Sequence, residues 1–411
     1  MIGTSKSDCV IVGAGHAGAQ LATRLRRLGW QGAITLVGEE AHLPYHRPPL
    51  SKDYMKGVKS LGNVLLNPEV AYRNADIDLL LGEQVRNIDR DSCHVTLASG
   101  KDLRYDKLAL ATGSRPRQLP VPGADTDGVF YLRNVDDVDR IRNAVVAGGN
   151  AVVIGGGYIG LEAAASLRTL GMNVTVVEAM ERVLQRVTCE CVSSFFARVH
   201  AEEGVEIRTG TAVSGIRGKS KVSGVETGGG EQIPADLVVV GIGIVPNVEL
   251  AENAGLETDN GIAVNQFAQT SDRDIYAVGD CTSFVHPRYQ RRIRLESVQN
   301  ANDQAVTAAR SICGQNEPYD ALPWFWSDQY DVKLQIAGLA EGAAEIVVRG
   351  DTGSGRSASV LYLKDDRLLA VDAMNNPRDF VFGKKLITEN ARLDPAVLAD
   401  SDSPLNAAII D

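Results

Sequence analysis

The chain has 411 residues, 44% hydrophobic and 23% charged, with a net charge of −10. That length allows roughly two to four domains with sizeable cores, and the acidic balance argues against broad nucleic-acid binding, which needs a basic face. No segment approaches the roughly 20 apolar residues of a membrane span; the lack of a signal-peptide pattern and six scattered cysteines without a CxxC predict reduced thiols in a cytoplasmic protein.

In chain order, residues 9–12 read as a short apolar strand. The turn Gly13-Ala14-Gly15-His16-Ala17-Gly18 follows, then a helical pattern to Leu28, with Gly29 at the place of a C-terminal glycine. Residues 34–37 read as the next strand and end in Gly38-Glu39-Glu40, which completes a βαβ unit. Residues 109–113 close a further strand before the proline-rich stretch 115–122. The first pattern returns at 151: a strand over 151–154, the turn Gly155-Gly156-Gly157-Tyr158-Ile159-Gly160, a helix to Leu170, then Gly171, and a strand over 174–177 ending in Glu178. The apolar run 237–245 has the length of a buried strand, and residues 274–280 read as a strand ending in Gly279-Asp280. From Pro323 onward, alternating apolar segments such as 359–363 and 368–371 predict a small α+β domain. The fold class expected is α/β, with two Rossmann-like dinucleotide-binding domains and this small C-terminal domain.

A dinucleotide turn needs three glycines: one for the tight turn, one so that backbone approaches the pyrophosphate, one for helix-on-strand packing. The pyrophosphate sits on the helix N-terminus, and an acid about 20 residues on receives the ribose hydroxyls. One such motif is a weak signal; here are two, with Glu39 and Glu178 correctly placed. Two units imply two dinucleotides, and FAD with a nicotinamide nucleotide is the simplest pair. A carboxylate at Glu178 welcomes a ribose diol and repels a 2′-phosphate, so NADH is expected over NADPH, with Arg182 and Arg186 as the nearby counter-candidates.

The segments Arg47-Pro48-Pro49-Leu50-Ser51-Lys52, residues 155–162, residues 276–281, Glu296-Ser297-Val298-Gln299-Asn300 and Pro323-Trp324-Phe325-Trp326-Ser327-Asp328-Gln329-Tyr330 together carry a resemblance. The chain resembles the putidaredoxin-reductase-like ferredoxin reductases, within the two-dinucleotide flavoproteins that include glutathione reductase. The resemblance implies FAD at Gly13, Gly15, Ala17 and Gly18, with Glu39 on the adenosine ribose. It adds Arg47, Lys52, Val85, Ala111, Arg133, Gly279, Asp280 and Val298 as FAD contacts, and places Trp326 near the flavin ring. Gly155, Gly157, Tyr158, Ile159, Gly160 and Glu178 would bind the nicotinamide nucleotide. Lys52 and Glu162 match positions that pair near flavin N5, and Tyr158 would cover the flavin until nicotinamide displaces it. The plainer alternatives are a surface lysine for Lys52, helix packing for Tyr158 and a core or interface residue for Trp326. The implied domain division is 1–113 and 241–320 for FAD, 114–240 for NAD, and 321–411 as a C-terminal interface domain.

Absences narrow the chemistry. Disulfide reductases of this superfamily carry a CxxxxC or CxxC pair, and peroxidase-type relatives a single cysteine near residue 42, where this chain has His42-Leu43-Pro44-Tyr45-His46. An external one-electron acceptor is therefore expected: a [2Fe–2S] ferredoxin, of the plant/vertebrate or Rieske type, serving a cytochrome P450 or an aromatic-ring dioxygenase. No resident metal is expected. Alternatives are a rubredoxin or quinone reductase, and a nucleotide-sensing interaction protein resembling apoptosis-inducing factor. Arg288, Arg291, Arg292 and Arg294 are either a solvated loop or a docking patch for an acidic partner. Cys189 and Cys191 form a CxC read as a surface or packing feature.

Overall fold

The structure, a computed structural model, describes residues 7–410. The chain divides into two compact units, each built from three separated segments.

One unit comprises residues 7–46, 61–115 and 244–321. Its centre is a parallel sheet in the order Ile275–Ala277, Lys107–Leu110, Cys9–Val12, Ile34–Gly38, Asp78–Leu81. The strands are short, continuous apolar runs because a parallel sheet is covered on both faces. Ile11, Leu36, Leu108 and Ala109 are accordingly fully buried. The helix His16–Arg27 is amphipathic and packs through Ala19, Ala22 and its leucines with Ala301, Ala305 and Ala308 of the helix Val298–Ile312. The order of the sheet reverses between Cys9–Val12 and Lys107–Leu110, the place where open α/β sheets receive ligands. The turn after Cys9–Val12 therefore faces that crevice.

The other unit comprises residues 47–60, 116–243 and 322–410. It repeats the plan: a parallel sheet in the order Glu206–Arg208, Asn173–Val177, Asn150–Ile154, Leu237–Val240, Val129–Tyr131. Its glycine helix, Tyr158–Thr169, is buried almost all round, from Gly160 to Leu167. A helix apolar on every side must be covered on every side, and part of that cover comes from the C-terminal antiparallel sheet, ordered Trp324–Gln329, Val332–Gly338, Arg367–Met374, Ala358–Lys364, Glu345–Gly350. The helix Pro377–Glu389 closes the far face of that sheet, its Phe380, Leu386 and Ile387 packing in one core with Leu361 and Val371.

One sequence expectation needs correction. The apolar run 237–245 is not one strand: Leu237–Val240 ends at Gly241, and Ile244–Pro246 is separate. The chain turns there because the Gly241 carbonyl oxygen packs against the second glycine turn, 2.4 Å from where a Cβ on Gly155 would stand. No helix among the described residues is long and apolar enough to cross a membrane.

Candidate active site

Both glycine turns share one backbone design. Gly13 (φ +111°) and Gly155 (φ +107°) occupy the left-handed region, and a Cβ on Gly13 would lie 2.1 Å from the Ala111 carbonyl oxygen. A Cβ on Gly18 or Gly160 would lie 1.9 or 2.0 Å from the carbonyl oxygen of Gly13 or Gly155. Gly15 and Gly157 differ: nothing stands within 4 Å of an added Cβ. Each is the N-cap of its helix, and no side chain caps either helix end, which is where a dinucleotide pyrophosphate would sit. FAD and a nicotinamide nucleotide both fit these turns; Ala111 and Gly241 are the carbonyls that close them, and Gly241 escaped the sequence reading.

The first unit holds Gly13, Gly15, Ala17, Gly18, Glu39, Val85, Ala111, Gly279, Asp280 and Val298. Gly279 (φ +85°) approaches Ala17, with 3.1 Å between an added Cβ and the alanine methyl, while its N–H donates to Gln304 Oε1 at 2.8 Å. Asp280 accepts a hydrogen bond from Ser114 at 3.0 Å. Val298 opens a helix capped by Ser297, whose hydroxyl accepts from the Asn300 N–H at 3.1 Å. Glu39 is exposed and accepts from the Gln84 amide at 3.3 Å, beside the buried Val85. Arg47, Lys52 and Arg133, also expected at the FAD, lie in the second unit.

In the second unit, the prolines Pro48 and Pro49 set a single 3₁₀ turn that ends on Ser51 and presents Lys52. Lys52 Nζ stands 2.7 Å from Glu162 Oε2, in a pair whose glutamate is only 2% exposed. Ser51 donates to the same oxygen at 2.5 Å, and Ser327 donates to Oε1 at 2.6 Å. A buried carboxylate is tolerable when both oxygens are satisfied, and here three donors converge on it. Arg47 donates to the Arg133 carbonyl at 2.8 Å, joining two further expected residues.

Helix and strand pitch explain this convergence. Tyr158 and Glu162 are four residues apart on the helix, about 6 Å of rise. Phe325 and Ser327 are two apart on Trp324–Gln329, about 6.6 Å. The two spacings match, so Phe325 packs on Tyr158 with ring centroids 4.8 Å apart while Ser327 reaches Glu162. Trp326, on the opposite face of the strand, packs against Trp324 at 5.5 Å. The Tyr158 hydroxyl is buried without a hydrogen-bond partner. Burial, and then the nearby Asp372 charge, push its pKa well up. Asp372 is itself pushed up to about 7 by complete burial, although it accepts a hydrogen bond from Tyr362 at 2.6 Å.

Ile159 is 46% exposed on the first helical turn, an apolar side chain facing outward beside the open glycine. Glu178 takes the Gly156 N–H at 2.6 Å and the Met180 N–H at 2.8 Å, so its carboxylate braces the turn it was expected to serve. Arg182 is committed to its own loop, donating to the Thr188 carbonyl at 2.9 Å and to Ser193 at 2.5 Å. In the arginine run of the first unit, Arg292 pairs with Asp259 at 3.2 Å and Arg294 with Glu296 at 2.5 Å. Ser51 and Ser327 were missed as site residues, though both stand inside the segments that carried the resemblance.

Comparison with known proteins accords with this geometry. The family profile described as pyridine nucleotide-disulphide oxidoreductase matches residues 7–305, and that of the reductase C-terminal domain matches residues 324–409. The chain is 46% identical to putidaredoxin reductase CamA of Pseudomonas putida, covering 98% of this chain and 97% of that one. It is 44% identical to rhodocoxin reductase of Rhodococcus erythropolis over 97% of this chain and 94% of that one. The reductase in the crystal structure of the covalent putidaredoxin reductase–putidaredoxin complex matches with a TM-score of 0.95 at 45% identity, covering 98% of this chain and 99% of that one. The chain therefore belongs to the pyridine nucleotide-disulphide oxidoreductase family, among its putidaredoxin-reductase-like ferredoxin reductases.

Proposed function

We propose that this chain is an FAD-dependent NADH:ferredoxin oxidoreductase, supplying single electrons to a [2Fe–2S] ferredoxin that serves a cytochrome P450 or a dioxygenase. The observation that carries the reading is the pair of glycine turns of one design, each with its middle glycine open and its helix end uncapped. Bound FAD supplies the one step that no side chain performs, accepting a hydride and giving up its electrons singly.

The chain's own residues bind, orient and balance charge. We assign the FAD to the turn at Gly13, Gly15, Ala17 and Gly18, with Glu39 on its ribose, Ala111 closing the turn, and Gly279, Asp280, Val298 and Val85 as further contacts. That domain is assigned to 1–113 and 241–320, of which residues 47–60 and 241–243 group with the other compact unit. The nicotinamide nucleotide is assigned to the turn from Gly155 to Gly160 within 114–240, with Glu178 receiving the ribose. Lys52, held by Glu162, places a fixed cation for the negative charge of reduced flavin, and Arg47 and Arg133 brace the same segment. Arg182 is committed to its own loop, which removes one of the two candidate cations for a 2′-phosphate beside Glu178 and supports NADH. Trp326 and the domain 321–411 are assigned to the electron exit. Six free thiols support a reducing, cytoplasmic setting.

The test is steady-state cytochrome c reduction by NADH with and without a [2Fe–2S] ferredoxin. A large dependence on ferredoxin is expected. Equal rates without it would return the reading to a reductase of quinones or other small acceptors.

A further inference from the structure

The CxC motif stands where the function makes no use of it. Cys189 is the N-cap of the helix Glu190–Glu202, in extended geometry (φ −74°, ψ 173°), and Cys191 lies in the first turn. Side chains two apart on a helix do not face each other. Here the extended N-cap swings Cys189 over the helix end, and the two sulfurs stand 2.9 Å apart, both partly exposed. The surroundings differentiate them. The Cys191 thiol beside it, then Tyr362 and the first-turn amides of Val192 and Cys191, hold the Cys189 thiol well below its ordinary range against the opposing effect of burial. The Cys191 thiol is pushed the other way by Cys189 and by burial. Elsewhere, burial pushes Cys9, Cys281 and Cys313 up. One activated thiolate with a resolving thiol in contact is the arrangement that favours reversible oxidation.

The pair is also tied to the second glycine turn. Ser193, on the first turn of the same helix, receives Arg182 at 2.5 Å and donates to the Val183 carbonyl at 2.6 Å. The next residue, Leu184, donates its N–H to the Gly156 carbonyl at 2.9 Å. The Cys189 N–H donates to Tyr362 at 3.2 Å. A displacement of the first turn of this helix thus reaches Gly156 through Ser193, Val183 and Leu184.

We propose that Cys189 and Cys191 are a reversible oxidation site for hydroperoxides, and that their disulfide, by drawing Cys191 out of the helical turn, weakens nucleotide binding at Gly155–Gly160. The thiolate of Cys189 attacks a peroxide oxygen, gains a hydroxyl group and releases hydroxide. The sulfur of Cys191 then attacks the Cys189 sulfur, and the displaced hydroxyl takes up the Cys191 thiol proton and leaves as water. Two thiols and one hydrogen peroxide give one disulfide and two waters, the sulfurs losing two electrons and the peroxide gaining them. A dithiol reverses the reaction, becoming a disulfide itself. The effect on binding rests on the nucleotide assignment proposed above; formation of the disulfide does not.

Hydrogen peroxide titration of the FAD-loaded full chain tests both halves. Alkylation followed by peptide mass analysis should show the loss of two alkylatable thiols, both in the peptide carrying 189–191, before Cys93 or Cys313 reacts. Dithiothreitol should restore them. In Cys191→Ser, dimedone should label Cys189. The oxidised parent should show an NADH KM raised about tenfold, equivalent to about 1.4 kcal/mol, while Cys189→Ser given the same peroxide keeps the parent value. Full alkylation of both cysteines after several equivalents of peroxide would overturn the site. A disulfide that forms with KM unchanged would overturn its effect. If instead the untreated chain is not reduced by NADH, the functional assignment fails, and the thiol count still judges the pair.

Discussion

The two glycine turns have nearly the same backbone and very different company. Around the first, Glu39 is exposed with Gln84 as its neighbour, and the helix presents one apolar stripe to the sheet. Around the second, Glu178 is folded onto Gly156 and Met180, the helix is buried from Gly160 to Leu167, and Glu162, Asp372, Tyr158 and Cys189 lie close by. On the assignment proposed above, the first turn would seat FAD permanently, while at the second a ribose would compete with the Gly156 and Met180 N–H groups for Glu178, as suits a ligand that enters and leaves on every turnover. One loop motif would then do two jobs, the difference coming from what packs around it.

The largest effects should come from the third glycines. A Cβ at Gly18 or Gly160 meets a backbone oxygen near 2 Å, and neither atom can yield without moving the turn. Each alanine variant should lose about 3 kcal/mol or more of stability in its own unit. Gly18→Ala should purify with little FAD. Gly160→Ala should stay yellow yet fail to be reduced by NADH. Loss of FAD from Gly160→Ala would break the comparison.

Lys52→Ala comes next. Removing a positioned charge from a reacting centre costs on the order of a hundredfold in rate, so stopped-flow reduction by NADH should slow by about that factor. FAD retention should hold, since the Gly13 turn is untouched. Thermal unfolding should show a loss of about 1–3 kcal/mol, less than for a bare buried charge, because Ser51 and Ser327 still donate to Glu162. A variant reduced at the parent rate would make Lys52 a structural residue.

Glu178→Gln should cost about tenfold in NADH affinity, near 1.4 kcal/mol, and narrow the preference over NADPH. Glu39→Gln should leave the NADH KM unchanged. Equal sensitivity of that KM to both variants would erase the distinction between the two seats.

The last expected effect is a slope with pH, read per pH unit. The pKa of Asp372 lies at about 7 in the folded chain, above the ordinary carboxylate value it has when unfolded. Between about pH 4 and 7 the folded state therefore binds the extra proton. Stability is greatest below that window and falls as pH rises through it, by at most about 1.4 kcal/mol per pH unit from this one group. Denaturant titrations across the window should show the fall, and Asp372→Asn should flatten it. An unchanged slope in the variant would place the titration elsewhere.

Sequence by itself determined the strand, glycine turn, helix and following strand that open each nucleotide unit. Each is local: a four- or five-residue apolar run, then a turn whose glycines are required by backbone atoms a few residues away or in the adjoining strand. The strand expected over 9–12 is observed as Cys9–Val12, and the helix expected to Leu28 ends at Arg27. The family was also legible, since residues 47–52 and 323–330 carry side chains that a plain nucleotide fold does not need. Only the tertiary structure decided how those segments meet. Ser51 is 111 residues from Glu162 and Ser327 is 165 away, and nothing in either neighbourhood announces a shared carboxylate. Tyr362 and Asp372 likewise converge near Cys189 from two strands of the C-terminal sheet. Such contacts depend on which faces of a helix and a strand are pressed together, and on the near equality of four helical and two extended residues. A one-dimensional pattern records the period of each element but not the partner its face will find.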